Sequence, residues 1–209
     1  KFDWLVKRIE KYFSVRQVRQ IRQIRQTPQK YIPAHRTTPR DTYQAHCIIG
    51  NRCIPMTSNE RLTMLLLNNI LGGPNMSSRL NLALRERNGL CYTIESNVTN
   101  YNDTGVWNIY FGCDPEDVKK CLRIVRKELD RFISKPLTDR QMKAYIKQMS
   151  GQIRVACDNQ ENYALDMAKS FLHYGKFEGI DETLRHLNSL TPEFVQKVAS
   201  ETFREDNMT

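Results

Sequence analysis

The sequence predicts an α+β fold, a mainly antiparallel sheet covered by helices, and two observations carry that prediction. Candidate strands with apolar residues at alternate positions gather between Tyr43 and Cys113. After Asp114 the apolar residues recur at helical spacing instead. Strands collected in one stretch and helices in another mark an α+β domain rather than a succession of βα units.

The first element is an amphipathic helix over residues 1–14, where Phe2, Leu5, Val6, Ile9, Tyr12 and Phe13 form an apolar stripe between charges. That stripe needs a partner surface. A triplet repeat follows, Val15-Arg16-Gln17 through Ile24-Arg25-Gln26. A three-residue step moves each apolar residue back about 60° around a helix, so the repeat builds no single face. It reads as a linker. Pro28, Pro33 and Pro39 then impose an extended path to Arg40, where the domain boundary is placed, with 1–40 as helix and linker and 41–209 as the main domain.

In the main domain, Ala45, Cys47 and Ile49 alternate with Gln44, His46 and Ile48, as a strand requires. Thr57 or Ser58 can cap a helix whose apolar body, Leu62 to Leu71, stops at Gly72-Gly73-Pro74. A short helix over 77–87 ends at Gly89, and strands over 91–99 and 104–113 flank the turn signal Asn102-Asp103-Thr104-Gly105. In the later strand Trp107, Ile109, Phe111 and Cys113 share one side, and Val106, Asn108, Tyr110 and Gly112 the other. Asp114-Pro115-Glu116 opens a helix with Val118, Leu122, Val125, Leu129 and Phe132 on one stripe. Thr138-Asp139 caps the next, running toward Cys157, and further helices are expected over 160–174, 180–189 and 191–204. The three strands are few for a sheet, so a further one is expected inside 145–160.

Composition narrows the function. Of 32 Lys/Arg and 23 Asp/Glu in the 209 residues, residues 1–40 hold 11 and 2, leaving 21 of each sign for residues 41–209. The entire basic excess sits in the N-terminal arm, which argues against a nucleic-acid partner for the main domain. No apolar run is long enough for a membrane span. The chain opens on Lys1 without a signal-peptide layout, as a piece of a longer protein would. Cys47, Cys53, Cys91, Cys113, Cys121 and Cys157 form no Cys-x-x-Cys pair, so buried free thiols in a reducing compartment, the cytoplasm, are the expectation.

A catalytic centre is not recognisable. His35, His46, His173 and His186 occur in no His-x-x-Glu-His motif, and there is no nucleophile elbow, P-loop or dinucleotide fingerprint. No catalytic residue and no metal ligand is assigned to this chain. His46, on an alternating strand, is expected to be a hydrogen-bonded structural residue.

Three runs in correct order carry a resemblance: Leu71-Gly72-Gly73-Pro74-Asn75-Met76-Ser77-Ser78-Arg79-Leu80, Leu84-Arg85-Glu86-Arg87-Asn88-Gly89-Leu90-Cys91-Tyr92, and Tyr101-Asn102-Asp103-Thr104-Gly105. They resemble the second, non-zinc domain of the pitrilysin/insulinase family of zinc peptidases, which includes the mitochondrial processing peptidases. The resemblance covers about residues 42–205, and residues 1–14 resemble the closing helix of the preceding zinc-type domain. It implies a domain that walls a peptide-sized chamber and positions a peptide substrate. Zinc, water and general base would then come from a preceding zinc-type domain or a partner subunit, in a homo- or hetero-oligomer. No cofactor is expected on this chain itself.

The family's Arg and Tyr, seven residues apart and facing the zinc domain, fall on Arg85 and Tyr92. A guanidinium can grip a peptide carbonyl and a phenol can donate to a developing oxyanion. Gly72 and Gly73 fall where the non-catalytic processing-peptidase subunit carries a longer glycine-rich substrate loop, and Ser78 and Arg79 are expected to cap and pack. A structural or assembly subunit that kept the fold without the proteolysis is the alternative.

Overall fold

The computed structural model describes residues 1–14, 26 and 28–209. The Val-Arg-Gln and Ile-Arg-Gln repeat, assigned above to a linker, lies outside the described residues apart from Gln26. Helix α1 spans Phe2–Phe13 and buries none of its residues. Beyond residue 28 the proline-punctuated stretch has no regular structure, and it docks where Ala34 N and the Tyr31 hydroxyl bond to Thr209 Oγ1.

The sheet has three antiparallel strands, β1 (Ala45–Cys53), β2 (Cys91–Asn100) and β3 (Gly105–Cys113), in the order β1-β3-β2. The alternation in β3 sorts as expected, with Trp107, Ile109, Phe111 and Cys113 fully buried. Trp107 is the hub of the core. Its ring lies 4.7 Å from that of Phe203, and its indole N–H donates to Ser96 Oγ at 3.0 Å. Ser96 in turn donates to Asn68 Oδ1 at 2.6 Å. This short chain satisfies every polar atom the tryptophan brings inside, as burial of an indole demands.

Helix α2 (Arg61–Gly72) lies against β2 and supplies Met64, Leu66, Leu67, Ile70 and Leu71 to the core. It starts where expected, just after Thr57 and Ser58, but neither side chain caps it. Ser58 Oγ accepts from Glu60 N at 3.1 Å within a turn, and the helix begins at Arg61. Helix α3 (Val118–Ser134) buries Cys121, Val125, Leu129 and Phe132, with Cys121 rather than Leu122 at the centre of the stripe. Helix α4 (Asp139–Asp158) opens on a complete capping box between Thr138 and Gln141. It and the start of the following helix fill the stretch 145–160 in which a fourth strand was expected; no strand lies there. Met142, Tyr145, Ile146, Met149 and Ile153 recur at helical spacing, so the expectation of a strand came from the small number of strands and not from the local pattern.

Helices α5 (Gln160–Tyr174), α6 (Ile180–Asn188) and α7 (Pro192–Thr202) complete the cover. Helix α7 packs on α2 and α3 through Val195, Val198 and Ala199. The chain end returns to the sheet, where Thr209 and Gly50 exchange two backbone hydrogen bonds of 2.8 and 2.9 Å along the edge of β1. The helices thus cover one face of the sheet and leave the other open.

Candidate functional site

Arg85 sits on a short π-helical turn, Asn81–Glu86, that packs against β2. Ala83 and Leu84 of this turn are buried and fix it to the core, while the Arg85 side chain is 47% exposed. A π turn widens the backbone and re-aims the residues it carries, and such turns are frequent at functional sites. Glu86 Oε1 lies 3.8 Å from Arg85 Nε, a loose contact between two exposed groups that leaves the guanidinium accessible.

The link to Tyr92 is stapled at each step. Asn88 Nδ2 donates to Ala83 O at 2.6 Å, Gly89 N to Arg85 O at 2.9 Å, and Leu90 N to Leu84 O at 2.9 Å. Gly89 turns the chain with φ +61°, a conformation that costs glycine nothing. Leu90 and Cys91 then drop into the core. Here β2 carries a bulge: Cys91 pairs with Cys113 and Thr93 with Gly112, so Tyr92 is the additional residue. Tyr92 is 75% exposed. Bulges re-aim side chains beside functional surfaces, and this one presents a phenol that strict alternation could not place outside next to exposed Thr93. The seven-residue spacing is therefore realised as a π turn, a left-handed glycine and a bulge. The π turn and the bulge each project a polar side chain out from a buried anchor.

Gly72 and Gly73, where the resemblance implied a substrate surface, are tightly packed. Both are buried. A Cβ on Gly72 would stand 2.6 Å from Ser96 N, and one on Gly73 would stand 2.6 Å from Asn69 O. The missing side chains let α2 end flush against β2 and close its own last turn. Arg79 packs as expected, whereas no side-chain hydrogen bond caps the turn that follows Ser78. Ser78 is buried and accepts from Asn81 Nδ2 at 3.2 Å, and the Arg79 guanidinium lies 4.2 Å from the Phe132 ring centre.

The open face of the sheet completes the surface beside Tyr92. His46 Nδ1 and the Tyr110 hydroxyl are 2.8 Å apart, with their rings stacked at 11°, so His46 is hydrogen-bonded as expected. Among the described residues no group of three or more His, Cys, Asp or Glu is placed to hold a metal, and no helix is long and apolar enough to cross a membrane. The cysteines are free, and Cys91, Cys113 and Cys121 are buried together, with the Cys91 and Cys121 sulfurs 3.7 Å apart. Burial pushes the Cys91 thiol up to about 11 and the Cys113 and Cys121 thiols up to about 12, far from the range of a reactive thiolate.

Residues 3–149 match the profile described as the peptidase M16 inactive domain, which spans well over half of the chain. The chain belongs to the M16 peptidase family, as a domain of the inactive type. It is 35% identical over 160 residues to an uncharacterised zinc protease of Streptomyces coelicolor, covering 77% of this chain and 35% of that protein. An uncharacterised zinc protease of Bacillus subtilis is 26% identical over 204 residues, covering 98% of this chain and 49% of that protein. The chain thus spans half or less of the length of these relatives. A protease from Helicobacter pylori superposes on all of this chain and 51% of its own with a TM-score of 0.80 at 15% identity. The M16 inactive domain from Pseudomonas fluorescens superposes on 80% of this chain and 40% of its own with a TM-score of 0.69 at 20% identity. These two likenesses show the fold.

Proposed function

We propose that this domain positions a peptide for hydrolysis by a zinc-bearing M16 half, carried on the same longer chain or on a partner subunit. The observation that carries the reading is the local architecture of Arg85 and Tyr92. Two exposed donors sit at the ends of one rigid connection, each re-aimed by a departure from regular backbone, a π turn and a bulge. Such departures persist where function needs them. Arg85 would hold a carbonyl or carboxylate of the peptide, and the Tyr92 hydroxyl would donate to the carbonyl oxygen as it gains negative charge. In this reading the metal sits on the other half, which would close with this domain around the peptide. Helix α1, whose apolar stripe is exposed, would dock on that half.

The test is turnover of a quenched fluorescent peptide by the protein assembled with its zinc-bearing half. Arg85→Ala and Tyr92→Phe are each expected to lower kcat/KM about a hundredfold, the cost of one oxyanion donor. Both residues are exposed, so thermal stability should hold. Unchanged turnover in both variants would overturn the reading in favour of a structural or assembly subunit.

A further inference from the structure

The open face of the sheet carries one row of side chains whose order has no explanation in the fold. Ile48, Tyr110 and Glu95 are consecutive cross-strand partners on β1, β3 and β2. Ile48 is 69% exposed, Glu95 is exposed and Tyr110 half-buried. Side chains of such neighbours stand within contact range of one another. Across the sheet the row reads aliphatic, aromatic, acidic. A lysine or arginine side chain has the matching order, a methylene stem that packs on apolar surface and a cation that seeks a ring face and a carboxylate.

Three further features prepare this row. The Tyr110 ring is held from the side by His46, through the 2.8 Å contact to its hydroxyl and the stacked imidazole. Gly112, the next residue on this face of β3, brings no side chain against the ring, and Gln44 closes in on the place one would fill. The nearest atoms to a Cβ built there are Gln44 Oε1 at 3.3 Å, His46 Nδ1 at 3.8 Å and the Tyr110 hydroxyl at 3.9 Å. Finally, Glu95 has no cation within ion-pair distance among the described residues. The other formal charge on this face, Arg52, lies two rows away on the far edge strand. A carboxylate left unpaired beside a clamped ring is a site whose charge is complementary to a cation.

We infer that the Ile48–Tyr110–Glu95 row is a specificity subsite for a cationic side chain of the bound peptide. Glu95 supplies the charge, Tyr110 the ring face and Ile48 the bed for the stem. His46 is a positioning residue that fixes the ring. The inference rests on the peptide-positioning role proposed above, since Tyr92 and Thr93 continue this face toward Arg85.

The experiment measures fluorescence anisotropy on the full-length protein with its zinc-bearing half. The probes are a short fluorescein-labelled Ala/Ser peptide carrying one arginine and the same peptide carrying citrulline, which keeps the shape and loses the charge. Wild type should bind the arginine peptide about tenfold tighter, the scale of a partly desolvated cation–carboxylate and ring contact. Glu95→Gln should abolish that preference without weakening citrulline binding. Tyr110→Leu, which keeps the surface apolar, should reduce the preference, as should His46→Ala. Arg85→Ala should weaken both peptides alike. Equal binding of the two peptides by wild type, or a preference that survives Glu95→Gln, would overturn the subsite while leaving the Arg85 role standing. No binding of either peptide by wild type would overturn both.

Discussion

Gly72 has a packing role that the structure makes plain. Its Cα lies so close to β2 that a methyl group would meet the Ser96 amide at 2.6 Å and the Ser96 Cβ at 2.8 Å. Neither is the free end of a flexible chain, and Ser96 is already committed to Trp107 and Asn68. Gly72→Ala is therefore expected to push α2 off β2 and to cost about 1–3 kcal/mol, the usual range for overpacking. Urea denaturation followed by tryptophan fluorescence measures it, with the buried Trp107 reporting on the core and the exposed Trp4 replaced by Phe to silence it. A variant as stable as wild type but defective in peptide binding would return Gly72 to the substrate surface. Arg85 and Tyr92 differ from it in kind, because both end in solvent and neither is needed by the core. Their spacing was readable in the residues. The bulge that exposes Tyr92 was not, because a register shift depends on what β3 offers opposite, and no local sequence pattern records that.

At the scale of elements the same division holds. Strand alternation around Trp107, the stripe of α3 and the Thr138 cap were legible because period and capping chemistry are local. The π turn over Asn81–Glu86 was not, since its residues carry the propensities of an α-helix and its widened hydrogen bonding, such as Arg87 N to Leu82 O, leaves no mark in the sequence. The cluster of Cys91, Cys113 and Cys121 joins β2, β3 and α3 and was visible only as scattered thiols. It has a consequence for stability. Burial holds these thiols protonated to about 11 or 12 in the folded state, against an ordinary value of 9.0. Between those limits the unfolded chain releases protons that the folded chain keeps, so stability present below pH 9 is lost as pH rises toward 12. The melting temperature is expected to fall steeply from about pH 9 upward. In Cys113→Ala, one such thiol is gone and the fall should be shallower. Tyrosine and lysine titrate in the same window, and the comparison of the two slopes removes their part. Parallel slopes would mean that the thiols ionise freely in the folded protein.

The molecule as a whole carries an element that its own core does not use. Helix α1 exposes Phe2 at 76%, Leu5 at 48%, Ile9 at 50% and Tyr12 at 62%, although these residues form the apolar stripe of an amphipathic helix. An amphipathic helix gains most of its stability from a surface to pack on. The chain covers 35% to 49% of the zinc protease relatives described above, so a further half of comparable size is available in proteins of that kind to provide the surface. The pair Leu5→Ser and Ile9→Ser separates the two situations. In the 209-residue chain alone the exposed residues have little to lose, and the change in unfolding free energy should stay within about 0.5 kcal/mol. With the zinc-bearing half present, two buried aliphatic side chains would be lost from an interface, and the assembly should weaken by about 3–6 kcal/mol at 1.5–3 kcal/mol each. Denaturation of both forms, with and without the substitutions, gives the four values needed. If the substitutions cost the same in both, α1 has no apolar partner in the other half. If the cost appears only in the assembly, the stripe is an interface. Helix α1 would then join this domain to the half that the proposed function places opposite Arg85 and Tyr92.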